Sequence, residues 1–99
     1  MIRERYYSIR QFLTAKGIRL KTDNLRKYQI VHVAFDNEKH QLDEVSFDVH
    51  SVGTKAGNAE LSELYEDFCK ENNFRTDTVV SVTVVASADT KEDLEQINM

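Results

Sequence analysis

Two stretches decide the fold, residues 28–35 (YQIVHVAF) and residues 43–50 (DEVSFDVH). In the second, Val45, Phe47 and Val49 alternate with Glu44, Ser46 and Asp48, the period of two that marks a strand buried on one face. The first is rich in β-branched and aromatic residues, and the polar segment 36–41 between them reads as a hairpin loop. Opposing Val33 to Val45 sets Val31 against Phe47 and Phe35 against Asp43. That register gathers Val31, Val33, Phe35, Val45, Phe47 and Val49 on one face, which is the expected core.

Working outward, Asn58 is a natural N-cap, and Leu61, Leu64, Tyr65 and Phe68 follow it at helical spacing, with Asn72 and Asn73 as terminators. Residues 79–86 place Val80, Val82 and Val84 on one side and Val79, Ser81, Thr83 and Val85 on the other. Little there wants water, so the segment reads as an inner strand. Thr90 with Asp93 three residues later resembles a capping box and predicts a short helix over 91–97. Toward the N-terminus, Ile2, Tyr6, Ile9, Phe12 and Leu13 recur at helical spacing ahead of Gly17, which predicts a helix over 2–16 with a left-handed cap. A competing reading makes 2–7 a strand, since Tyr and Ile suit pleated surfaces. Residues 18–21 suit a short edge strand, and Thr22, Asp23 and Asn24 carry turn or cap chemistry.

This order predicts an α+β fold in a single domain over residues 1–99. Its form is a two-layer sandwich, with two helices packed on one face of a three- or four-stranded, mostly antiparallel sheet. Were the N-terminus a strand, the order would become βαββαβ, the ferredoxin-like arrangement. With 99 residues, 40% of them hydrophobic, the chain has enough apolar material to fold. It has no proline and three glycines, at 17, 53 and 57, and no linker or repeat. The longest apolar run, around residues 30–35, is interrupted by His32 and is too short to span a membrane. The N-terminal arginines precede no apolar stretch of the kind a secretory signal needs, and the single Cys69 has no partner for an internal disulfide, so a cytoplasmic, reducing setting is expected.

Net charge is −4, unevenly spread. Residues 1–40 carry nine Lys and Arg against four acids, a balance of +5, and residues 41–99 carry a balance of −9. Folding can either separate these charges into a polarised surface or intersperse them.

Little in the chain carries catalytic chemistry. Cys69 sits near the C-terminal end of its helix with Glu66 and Glu71 close by, which disfavours a thiolate and points to a structural thiol. His32 and His50 lie four residues apart along the paired strands, about 13 Å, too far for one metal ion. Asp48 and His50 alone are too few ligands for zinc. Gly53 and Gly57 fit no phosphate-loop pattern and read as a plain connection. The chain is therefore expected to be no enzyme and to need no cofactor, and a small-molecule substrate is not expected.

Charged strips on the helices suggest binding instead. On the first helix Arg3, Tyr7, Arg10 and Thr14 share a face at i, i+4, i+7 and i+11, and two arginines flanking a tyrosine suit a phosphate or a protein interface. On the second, Glu60, Glu63, Asp67 and Glu71 line one edge, where like charges repel and a cation is called for. The expected function is a small non-catalytic protein-binding module (an adaptor, inhibitor or subunit), in one version an acidic inhibitor imitating nucleic acid to block a nucleic-acid-handling protein. The alternative is nucleic-acid binding through the basic residues 1–27, with 22–28 as a short recognition helix. Net acidity disfavours that alternative, because phosphates would be repelled at long range.

Overall fold

A computed structural model describes residues 7–37, 39 and 41–97. The elements in order are α1 (Ile9–Ala15), β1 (Arg19–Leu20), β2 (Tyr28–Asp36), β3 (Leu42–His50), α2 (Lys55–Asn72), β4 (Val79–Ala88) and α3 (Lys91–Glu95). The class is α+β. The four strands form one sheet in the order β1-β4-β2-β3.

The hairpin forms in the register that the alternation implies: Val33 pairs with Val45, Val31 with Phe47 and Phe35 with Asp43. β2 is buried at every second residue, with Val31, Val33 and Phe35 fully enclosed. Above them lie Leu61, Tyr65 and Cys69 of α2, and Ile9 and Phe12 of α1. Phe35 sits among three rings, with centroids 6.0 Å from Tyr65, 5.7 Å from Phe68 and 5.4 Å from Phe74, and Phe68 also meets Phe47, Tyr65 and Phe74. The first two contacts of Phe35 are edge-to-face, an arrangement that adds to the burial of the rings themselves.

β4 departs from strict alternation at two places. Its pairing with β2 slips between Ala34 and Phe35 and again between Ile30 and Val31, so that Val80 and Val85 are extra residues. The first slip turns Val80 outward while Val79, Val82 and Val84 face the main core. The second reverses the sense beyond Val85. Ala86 and Ala88 then pack with Leu94, Tyr28 and Ile30 in a second, smaller cluster. α3 closes that cluster against β2 and β4.

Local chemistry sets the helix ends. Ser8 and Gln11 form a reciprocal capping box on α1, Thr54 accepts from the Gly57 amide at the start of α2, and Asn73 ends α2 in the left-handed region. Gln29 is 1% exposed, yet both ends of its side chain are used. Its amide donates to the Arg26 carbonyl, and its oxygen accepts from the Val52 amide at 2.8 Å. It thereby ties the connection before β2 to the one after β3.

Several expectations are corrected. The sheet is mixed, because β1 pairs with β4 in parallel. The first helix begins at Ile9 behind its Ser8 cap, and the part expected over 2–6 lies outside the described residues. Tyr7 is not helical: it bridges Val79, whose amide donates to the Tyr7 carbonyl at 2.9 Å. α2 starts one turn before Asn58, whose side chain accepts instead from the Gly53 amide at 2.8 Å. Gly57 is thus inside the helix rather than in a connection. Residues 22–28 form no recognition helix; 22–27 are irregular and β2 starts at Tyr28. The last helix stops at Glu95.

Two substitutions test this packing. Phe35→Ala should lower stability by about 3–5 kcal/mol, whereas Leu42→Ala, at a residue 72% exposed, should change it by less than about 0.5 kcal/mol in urea unfolding. Gly57→Ala should destabilise even though alanine favours helices, because a Cβ at position 57 would overlap the Ser51 carbonyl.

Candidate functional site

β3 ends the sheet, so one of its two hydrogen-bonding edges has no strand beside it among the described residues. Antiparallel pairing makes alternate residues face the partner strand and the outside. The Ser51 amide donates to Lys27 at 2.8 Å on the β2 side, which leaves the even-numbered residues of β3 turned outward. Two of their amides are already taken by side chains. His50 N–H donates to Glu60 Oε1 at 2.9 Å, and Glu44 N–H donates to Asp43 Oδ1 at 2.8 Å. Between these two caps, the amides of Ser46 and Asp48 point away from β2 and have no hydrogen-bond partner among the described residues.

The Glu60 contact also shows which flank of α2 overlooks this edge. Residues at i, i+4, i+7 and i+11 from Glu60 share its side of the helix, which places Leu64, Asp67 and Glu71 along the same flank. Glu60, Glu63, Asp67 and Glu71 are all exposed, and so are Asp43, Glu44 and Asp48 on the strand. Among the described residues, no base lies within ion-pair distance of Glu63, Asp67, Glu71, Asp43 or Asp48.

The cation expected beside α2 is Arg10, and it meets Glu66. Its Nε lies 2.9 Å and its Nη2 3.1 Å from the two carboxylate oxygens, a forked pair that raises the guanidinium's already high pKa. Arg10 is therefore engaged within the chain. Tyr7 is half-buried, its ring edge-on to Phe12 at 6.1 Å, and Arg3 lies outside the described residues. Because Tyr7 precedes α1, it does not share a helical face with Arg10 and Thr14 as the expected strip requires. The acidic residues of α2 are brought together, and β3 adds three more that helix periodicity could not associate with them.

Charge separates partly by position in the sheet. Two ion pairs cross between the basic and acidic halves, Arg10 with Glu66 and Arg26 with Asp89 at 2.6 Å. Of the other described bases in the basic half, Lys16, Arg19 and Lys21 lie on or beside β1, while Lys27 and Lys39 sit at the two ends of the β2–β3 hairpin; the carboxylates of β3 line the opposite edge of the sheet from β1. An apolar hollow lies beside β1, lined by Leu13, Ile18, Leu20, Leu25 and Val52.

On the sheet face away from α2, His32 Nδ1 lies 2.9 Å from Glu44 Oε1, and His50 packs edge-on to Tyr28 at 5.0 Å. Among the described residues, no group of three His, Cys, Asp or Glu side chains is placed to hold a metal ion. No described helix is long and apolar enough to cross a membrane. Cys69 is fully buried, and burial pushes its thiol pKa up. Burial pushes the Tyr65 hydroxyl up as well; it lies enclosed near Cys69 and Thr78 without a well-formed hydrogen bond to either. No protein-family model matches the chain, and no curated protein or solved structure shows significant similarity to it.

The buried thiol and phenol set the alkaline behaviour. Both keep their protons in the folded chain at pH values where the unfolded chain loses them, so the folded state binds more protons. Their contribution is complete below about pH 8.5 and declines as pH rises through the range where the unfolded thiol and then the phenol ionise. Urea midpoints measured between pH 7 and 10.5 should fall with pH, and Cys69→Ala should remove the earlier part of the fall. A thiol reagent at neutral pH should label Cys69 only as the chain unfolds.

Proposed function

We propose that the chain is a small non-catalytic protein-binding domain, an adaptor, inhibitor or subunit, whose working surface is the acidic flank of α2 together with the β3 edge. The observation that carries this reading is the set of exposed carboxylates, Asp43, Asp48, Asp67 and Glu71, that form no ion pair with a described base, flanked by Glu63, which shares the attraction of Arg10 with Glu66. Like charges kept close together destabilise the free protein, and a basic partner relieves that cost on binding. α1 and α2 cover one face of the sheet, α3 packs on the other face over β2 and β4, and the β3 edge has no strand beside it among the described residues. One version is an inhibitor whose carboxylates imitate nucleic-acid phosphates on a basic protein groove. The proposed setting is a reducing one such as the cytoplasm, where Cys69 stays a thiol.

The alternative, nucleic-acid binding, is favoured by the exposed Lys16, Arg19 and Lys21 near β1. It is weakened by the use of Arg10 and Arg26 in internal ion pairs and by the absence of a helix over 22–27.

Paired charge reversals separate the two. With Glu63→Lys and Asp67→Lys together, a partner purified with the wild-type protein from its source cell should be lost, while Lys16→Glu with Arg19→Glu should retain it. Neither wild type nor either variant should retard 20-base-pair DNA or its single strands at micromolar protein in physiological salt. Retardation by wild type that the second pair abolishes would establish the alternative.

A further inference from the structure

We propose that the β3 edge between its two carboxylate caps accepts a short extended segment of a partner protein as an added antiparallel strand, with Lys or Arg alternating with apolar residues. This rests on the protein-binding reading above and specifies its mode.

The backbone defines the length. Glu60 occupies the outward amide of His50 and Asp43 that of Glu44, so the amides available to an incoming strand are those of Ser46 and Asp48. In an antiparallel ladder each of these residues exchanges two hydrogen bonds with the residue opposite, which gives a segment of about four residues its main-chain anchorage. The carboxylate caps limit the addition to that window and protect the ends of the edge from longer, indiscriminate pairing.

The side chains define the composition. Residues of the added strand directed to the sheet face away from α2 lie beside Glu44, Ser46 and Asp48, all exposed, and basic side chains there meet opposite charge across the strand. Residues directed to the other face lie beside Val45 and Phe47, which are only half-buried, and under the flank of α2 that presents the half-buried Leu64. Apolar side chains there extend the existing core. Beyond Leu64, Asp67 and Glu71 reinforce the preference for a cationic segment.

A second copy of this chain fits less well than a cationic segment. Antiparallel pairing of two β3 edges about Ser46 sets Glu44 against Asp48 of the other copy twice, and a parallel in-register pairing sets each acid against itself, like charges that are destabilising when directly opposite. Pairing about Phe47 avoids those oppositions but still brings two acidic edges together and offers Asp48 no base, so a segment bearing Lys or Arg is the better match.

The probe is a capped eight-residue peptide of alternating lysine and valine, compared with the same peptide N-methylated at alternate amides in each of the two phases. N-methylation removes donors for a β ladder and keeps every charge. By calorimetric titration in physiological salt, methylation of the phase facing β3 should weaken binding about tenfold, the effect of losing one or two hydrogen bonds. Ser46→Pro, which removes an outward amide and leaves the β2 ladder intact, should weaken the unmodified peptide similarly. On binding, the Ser46 and Asp48 amides should become protected from hydrogen exchange.

If both methylated peptides bind as well as the unmodified one, strand addition is wrong. In that case, loss of binding in Glu63→Lys with Asp67→Lys leaves the acidic protein-binding surface standing, and binding indifferent to that pair overturns both. Failure of the unmodified peptide to bind also overturns the strand addition. A peptide-free dimer that Ser46→Pro dissociates would replace the partner strand by a second copy. The methylated peptides keep the test decisive even if Ser46→Pro does not fold.

Discussion

The structure depends on β2 being paired on both sides while one face of it is sealed by α2. Nine residues of this strand pair with β3, and all but its last also pair with β4, so its backbone polar groups are directed at neighbouring strands on both sides. Its inward residues Val31, Val33 and Phe35 are fully buried, each contributing about 1.5–3 kcal/mol by removal from water. A slip of one residue in either pairing would turn them all to the opposite face, so register and core specify each other. α2 adds Leu61, Tyr65 and Cys69 to this surface, and the rings of Phe68 and Phe74 close it around Phe35.

Against that rigid centre, β4 supplies the asymmetry. Its two extra residues let one strand serve two clusters, Val79, Val82 and Val84 toward α1 and α2, then Ala86 and Ala88 toward α3. The small alanines leave room for Leu94 to lie close to the sheet. The same strand carries β1 in parallel and Tyr7 in an antiparallel bridge along its other side. Among the described residues β3 has only β2 beside it, and its outer edge is managed by side chains: Glu60 from the helix and Asp43 from the strand each accept a hydrogen bond from an outward amide. Charge complements this geometry, because bases that are not spent on Glu66, Asp89 or Asp77 include the group near β1, far across the sheet from the carboxylates of β3.

The sequence by itself determined the hairpin, because a period of two with β-branched and aromatic residues admits one burial pattern and hence one register. It also determined the body of α2, its Asn73 terminus, and the Thr90 cap of α3, all set by interactions within a few residues. The α2 start is not legible in the sequence because Asn58 and Thr54 are both competent caps, and the choice lies with the close approach of Gly57 to Ser51, a contact between segments. Helical spacing continues from Ile9 back through Tyr6, yet α1 begins at Ile9, because Tyr7 is held by Val79, more than 70 residues away, which local spacing does not register. Only the tertiary structure decided the strand order, and therefore that β3 is an edge and that Glu60 reaches it. It likewise decided that Arg10 is matched to Glu66 rather than displayed. Hydrophobic period reports which face of an element is buried; which neighbour lies beside it, and which charges that neighbour leaves unmatched, depends on contacts between residues far apart in the chain.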